Sequence, residues 1–123
     1  MVDQIDPDFK IILDILCQNN CFKTREGSFV KDLRIIANKD LKNVVLVDSN
    51  PISFCFQLEN GIPILPWEGD IKDKELHFLT KYLIKLSCFE DVRIKNTKCI
   101  KMSELVKKNK KDISKMLLNL EDI

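Results

Sequence analysis

Residues 44–47, Val44-Val45-Leu46-Val47, form a continuous aliphatic run bounded by polar residues on both sides. Such a run reads as a short strand buried on both faces, the pattern of a parallel sheet in an α/β protein. It stops abruptly at Asp48-Ser49-Asn50-Pro51. In open parallel sheets, ligands bind beyond the carboxyl ends of the strands. Asp48 is therefore the best-placed residue for chemistry. A carboxylate there can hold a metal ion or pair with a lysine. It can equally cap the turn that follows, since Asp-Ser-Asn-Pro is good Asx-turn chemistry. Lys31, just after the apolar pair Phe29-Val30, can neutralise a phosphate as a point charge. It can also be one more solvated lysine.

The rest of the chain alternates short elements. Asp6 as N-cap and Pro7 at the first helical position predict a helix over residues 6–17, with Phe9, Ile12, Leu13 and Leu16 at helical spacing. Thr24 to Ser28 is turn chemistry, and residues 32–37 read as one or two helical turns. Ile62-Pro63-Ile64-Leu65 reads as a second strand, with its proline marking an edge or a strand start. Residues 73–87 predict a helix with Leu76, Leu79, Leu83 and Leu86 along one stripe and acidic residues near its start. Phe89 to Arg93 closes the compact part, which makes 1–93 one unit. From residue 94 to 123 lysine is dense, and Met102, Leu105, Val106, Ile113, Met116, Leu117 and Leu120 predict an amphipathic helical tail.

Charge and cysteine content narrow the function. Twenty basic residues face nineteen acidic ones, so the net charge is +1. That balance argues against a chain-wide surface for nucleic acid or acidic membrane. The tail lysines read as a solvated face, with anionic lipid or nucleic acid as the lesser alternative. No run of about 18 apolar residues is present for a transmembrane helix. The first residues show neither a secretory signal nor a transit peptide. The five cysteines are odd in number and lack a C-x-x-C pair, and His77 is the only histidine. Structural zinc sites want four ligands in paired short spacings. The cysteines therefore read as free, mostly buried thiols in a reducing compartment. His77 reads as a surface or packing residue, and Trp67 as a core or loop anchor.

Several pieces then follow one another in order. They are Phe29-Val30-Lys31-Asp32-Leu33, Lys39-Asp40-Leu41, Val44 through Pro51, Phe56 through Ile64, Trp67 with Asp70, Asp73-Lys74-Glu75-Leu76, and Glu90-Asp91-Val92-Arg93. Over residues 5–93 this resembles the second half of the NLI-interacting-factor family. These are the small phosphatases of the RNA polymerase II C-terminal domain, within the haloacid dehalogenase superfamily. The resemblance implies a doubly wound α/β fold, here a partial parallel sheet with flanking helices and a C-terminal amphipathic helix. It implies protein serine/threonine phosphatase chemistry through an aspartyl-phosphate, with Mg²⁺ holding phosphate oxygens. Lys31 matches the lysine that pairs with the phosphate and the nucleophile. Asp48 matches the acid at the strand end. The following metal-ligating asparagine is replaced by Ser49, with Asn50 next, as though the usual pair were inverted. The resemblance makes Asp48, Ser49 and Asn50 the candidate metal set, which Ser49 weakens, since a serine hydroxyl is a poor Mg²⁺ ligand beside a carboxylate or amide.

The family's Asp-x-Asp-x-Thr nucleophile motif is not found. Asp6-Pro7-Asp8 has the acid spacing but no following threonine, and it sits at a helix start. The expectation is a domain inactive alone: a fragment, one half of a split protein, or a degenerate relative. The Val44–Val47 strand then has no neighbouring strand in the chain, and its edge is a template for a partner strand. Expected partners are a phosphoprotein substrate or the protein that supplies this strand, with a homo-oligomer as a further option. The expected compartment is nuclear or cytoplasmic. The alternative is a non-catalytic binding module resembling the receptor subunit of the mitochondrial presequence translocase, whose Pro-Trp-acidic-Gly stretch is similar to residues 66–69.

Overall fold

The structure is a computed structural model and describes residues 1–101. The amphipathic helix expected in the tail lies outside the described residues. The first helix, α1, covers Val2–Ile5, and the helix expected over 6–17 does not form. Asp6 explains why. Its carboxylate accepts the main-chain N–H groups of Lys10 (3.1 Å), Ile11 (2.8 Å) and Ile12 (2.7 Å). In a helix those N–H groups of residues 11 and 12 would reach carbonyls four residues back. Phe9, at φ 50°, also leaves the helical region. The segment wraps around one buried carboxylate, and Ile11 and Leu13 stay 83% and 81% exposed.

Two small sheets follow. β1 (Phe22–Lys23) and β2 (Phe29–Val30) pair antiparallel, Phe22 against Val30 and Lys23 against Phe29. Their connection is closed by Thr24, whose hydroxyl accepts the Ser28 N–H at 3.1 Å. β3 (Leu46–Asp48) and β4 (Gly61–Pro63) pair parallel, Leu46 with Gly61, Val47 with Ile62 and Asp48 with Pro63. The aliphatic run is thus a strand as expected, shifted two residues toward Asp48 at its start. It differs from expectation in two ways. β4 is its neighbour, so it is not without a partner strand. Its residues are half-buried rather than buried on both faces.

Pro63 sets which way the main chain of β3 faces. Proline has no N–H to give a ladder, so the bonds must run through the residues on either side. The Ile64 N–H reaches the Asp48 carbonyl at 3.1 Å. Main-chain groups alternate in direction along a strand. Leu46 and Asp48 therefore turn theirs to β4, and Val47 turns its N–H and C=O the other way. Among the described residues no strand covers that second edge. This is the physical reason β3 is only half-buried.

Helices cover the opposite side. α2 spans Glu75–Leu86 and α3 spans Val92–Cys99. Ile62, Leu86 and Val92 form the core cluster, with Val45, Val47, Leu79, Tyr82, Leu83 and Ile100 packed around it. Of the expected α2 stripe, Leu79, Leu83 and Leu86 face this core, whereas Leu76 is 67% exposed. α3 starts on Asp91, whose carboxylate accepts the Arg93 N–H at 3.0 Å, and it runs past residue 93. Its Asn96 is buried and donates to the carbonyls of Glu59 (2.9 Å) and Gly61 (2.8 Å) while accepting the Tyr82 hydroxyl (2.8 Å). Asn60, also buried, donates to the carbonyls of Leu41 (2.7 Å) and Val44 (2.8 Å). These two amides satisfy three part-buried carbonyls and the buried Gly61 carbonyl at the start of β4.

The cysteines are free, but not mostly buried as expected. Cys17, Cys88 and Cys99 are exposed, and Cys21 and Cys55 are half-buried. Burial pushes the Cys55 thiol up to about 11.

Candidate functional site

Three short pieces of chain bring the expected residues together. β2 delivers Lys31, β3 delivers Asp48, and a 3-10 turn at Pro51–Phe54 closes the space between them. Asn50 builds that turn: its side-chain oxygen accepts the Ile52 N–H at 3.1 Å, and Pro51 occupies the first helical position. The turn then supplies the Ser53 carbonyl, which accepts the Lys31 N–H at 3.2 Å. The lysine and the aspartate are thereby tied to one small frame.

The Lys31 ammonium donates to Asp48 Oδ2 at 2.5 Å. The other carboxylate oxygen, Oδ1, accepts the Asn50 N–H at 2.8 Å. Partial burial pushes the Asp48 carboxyl up, but Lys31, the Asn50 N–H and the Ser53 hydroxyl together outweigh it and hold it below the usual carboxylate range. Asp48 is consequently an anion whose two oxygens are both engaged. The ammonium keeps access to solvent, with a side chain 45% exposed against 15% for Asp48. Of the three readings open for the carboxylate, two are seen together: it pairs with the lysine and it caps the turn. Ser53 was not singled out from the sequence. The Asx-Pro signal at Asn50-Pro51 predicts a helical turn that returns residue 53 toward residue 48, and that signal could have found it.

The candidate Mg²⁺ set does not amount to a metal site by itself. Mg²⁺ wants near-octahedral oxygen donors, usually one or two carboxylates with substrate oxygens and waters. Here one carboxylate is present and carries a lysine, and the Asn50 oxygen caps the next turn. Ser49 is exposed. Among the described residues no group of three or more Asp, Glu, His or Cys side chains is arranged to hold an ion.

An apolar groove of about 450 Å³ lies beside the pair, lined by Phe29, Leu33, Ile35, Ile36, Val45 and Leu46 among others. Lys31 stands in the same lining. His77 and Trp67 do not line this apolar groove. His77 is exposed, as expected. Trp67 is a loop anchor and not a core residue: its Nε1 donates to the Asp70 carbonyl at 3.2 Å while the ring is 72% exposed.

The family model for NLI interacting factor-like phosphatases matches residues 1–93. A CTD small phosphatase-like protein 2 of Dictyostelium discoideum is 43% identical over 93 residues, 76% of this chain and 16% of the relative. The human carboxy-terminal domain RNA polymerase II polypeptide A small phosphatase 1 is 31% identical over 90 residues, 66% of this chain and 34% of the relative. A mitochondrial import inner membrane translocase subunit of Neurospora crassa is 41% identical over 73 residues, 58% of this chain and 13% of the relative. The chain thus spans between 13% and 34% of the length of these relatives. The mixed α/β layout with its small parallel sheet agrees with the haloacid-dehalogenase-like fold of the matched family. Since that family model takes in 93 of the 123 residues, this chain belongs to the NLI interacting factor-like phosphatases.

Proposed function

We propose that this chain carries half of a protein serine/threonine phosphatase site and does not turn over substrate alone. One observation carries the reading. The Lys31–Asp48 pair sits at the carboxyl end of β3, beside a strand edge that the described residues leave uncovered. Lys31 is the group that meets a phosphate: a mobile point charge with donors to spare. Asp48 orients it and keeps an anionic partner at its side. Covalent phosphoryl transfer also needs a nucleophile, and the 123 residues contain no Asp-x-Asp-x-Thr. The outward-facing N–H and C=O of Val47 and the apolar groove beside them suit an added strand. A partner protein is the proposed source of that strand, with a second copy of the chain as the other source. Family members are in general Mg²⁺-dependent, and Asp48, with Ser49 and Asn50 nearby, would contribute only part of such a site. The substrate class is a phosphoprotein, and the compartment is nuclear or cytoplasmic.

The test is Mg²⁺-dependent hydrolysis of an aryl phosphate by the purified chain. The expected rate equals that of Lys31→Ala and Asp48→Ala. A measurable turnover abolished by either substitution refutes the proposal.

A second reading is favoured by the 41% identity to a translocase subunit. In it the chain is a binding module with a mitochondrial setting. A strand supplied in trans that restores phosphate hydrolysis decides against this reading.

A further inference from the structure

A second groove, of about 360 Å³, opens next to the Lys31–Asp48 site, and Ser49 stands in its wall. Its apolar side includes Leu65, Trp67 and Ile71, which are 68%, 72% and 95% exposed. The Trp67 indole is tethered by its edge to the Asp70 carbonyl, so a large, well-held aromatic surface meets solvent. The charged side of the same groove is made by Asp70, Asp73 and Glu75, and among the described residues no lysine or arginine lines it. Each carboxylate uses one oxygen to accept a main-chain N–H, Asp70 and Asp73 two residues ahead and Glu75 ten residues back. Asp70 accepts from Lys72 N–H (2.8 Å), Asp73 from Glu75 N–H (2.7 Å) and Glu75 from Leu65 N–H (3.2 Å). Among the described residues the second oxygen of each makes no hydrogen bond or ion pair. Three anions beside an open indole complement a cation. A guanidinium or ammonium within about 6 Å of a tryptophan face is attracted by the ring, most strongly of the aromatic side chains.

We propose that this groove docks a basic segment of the protein substrate, in which an arginine or lysine neighbours an apolar residue. The cation lies on Trp67 among the carboxylates, and the apolar side chain lies on Leu65 and Ile71. Because Ser49 joins the groove to Asp48, a segment held there leads its phosphorylated residue toward Lys31. This inference rests on the phosphatase reading of Lys31 and Asp48 for its direction. Its test does not use catalysis.

Trp67 is the single tryptophan of the chain, so its emission reports on the groove directly. The probe is the unphosphorylated peptide acetyl-Gly-Leu-Arg-Pro-Arg-Gly-amide, added to the full chain. The expected result is a saturable change in Trp67 emission that weakens as salt is raised. Asp70→Asn with Asp73→Asn keeps both capping oxygens and removes two charges. It is expected to weaken binding about threefold to tenfold. The same peptide with glutamate in place of both arginines is expected to give no saturable change. No change with the basic peptide, or an equal change with both peptides, overturns the proposal. Emission that depends on protein concentration and ignores the basic peptide assigns the groove to a second copy and also overturns it. A silent Trp67 leaves the phosphatase reading standing, and an inactive chain leaves this measurement intact.

Discussion

Asn96 offers the sharpest test of where the compact unit ends. Its side chain is 1% exposed and joins α3 to the loop before β4 and to α2 through three hydrogen bonds of 2.8–2.9 Å. Asn96→Ala removes all three. The part-buried Glu59 carbonyl, the buried Gly61 carbonyl and the Tyr82 hydroxyl lose this partner. At about 1 kcal/mol per net hydrogen bond the loss is about 3 kcal/mol. That is a large share of the 5–15 kcal/mol by which domains are usually stable. With a urea slope of about 1–1.5 kcal/mol/M for a unit of this size, the midpoint should fall by about 2–3 M. Equilibrium urea unfolding, followed by far-ultraviolet circular dichroism, measures it. The slope should stay unchanged, since the same surface is exposed on unfolding. A fall of less than about 0.5 M refutes the reasoning. It would mean that α3 is not held to the sheet and that the cooperative unit stops near residue 93.

Two further outcomes follow from the packing and the charges. A Cβ at Gly61 would stand 2.7 Å from the fully buried Phe54 ring, so Gly61→Ala should destabilise by about 1–3 kcal/mol through overpacking. Thermal unfolding should show the loss, and adding Phe54→Leu should recover part of it; a neutral Gly61→Ala sinks the argument. The Asp32 carboxyl, held by Arg34 above all and also by Gln57, lies at about 2 instead of 3.8. A carboxyl lower in the folded state stabilises above its unfolded value, and this contribution is lost as the pH falls from about 4 toward 2. Asp32→Asn should therefore flatten the acid limb of a Tm-against-pH curve; an unchanged limb contradicts this.

The site residues were legible because their signals are local. Asp48 closes an aliphatic run, Asn50-Pro51 spells an Asx cap, and Lys31 sits a fixed step after an apolar pair. The Asp6 segment misled for a matching reason. Asp-Pro followed by apolar residues at helical spacing satisfies every local rule for a helix start. The carboxylate nevertheless bonds three N–H groups four to six residues ahead, and only the folded loop reveals that competitor. Ser53 was missed because its only signal is the indirect one of the Asn50-Pro51 turn, and the Trp67 groove because its lining residues come from separate turns.

The sequence by itself determined the family, the β3 strand and the α2 helix, and it offered Lys31 and Asp48 as candidates, since each is written in adjacent or regularly spaced residues. The tertiary structure alone decided that the two charges, seventeen positions apart in sequence, meet at 2.5 Å. It alone decided that β4 covers one edge of β3 and that no described strand covers the other. Pairing across such distances depends on which backbone groups are already satisfied. That balance exists only once the chain has closed on itself.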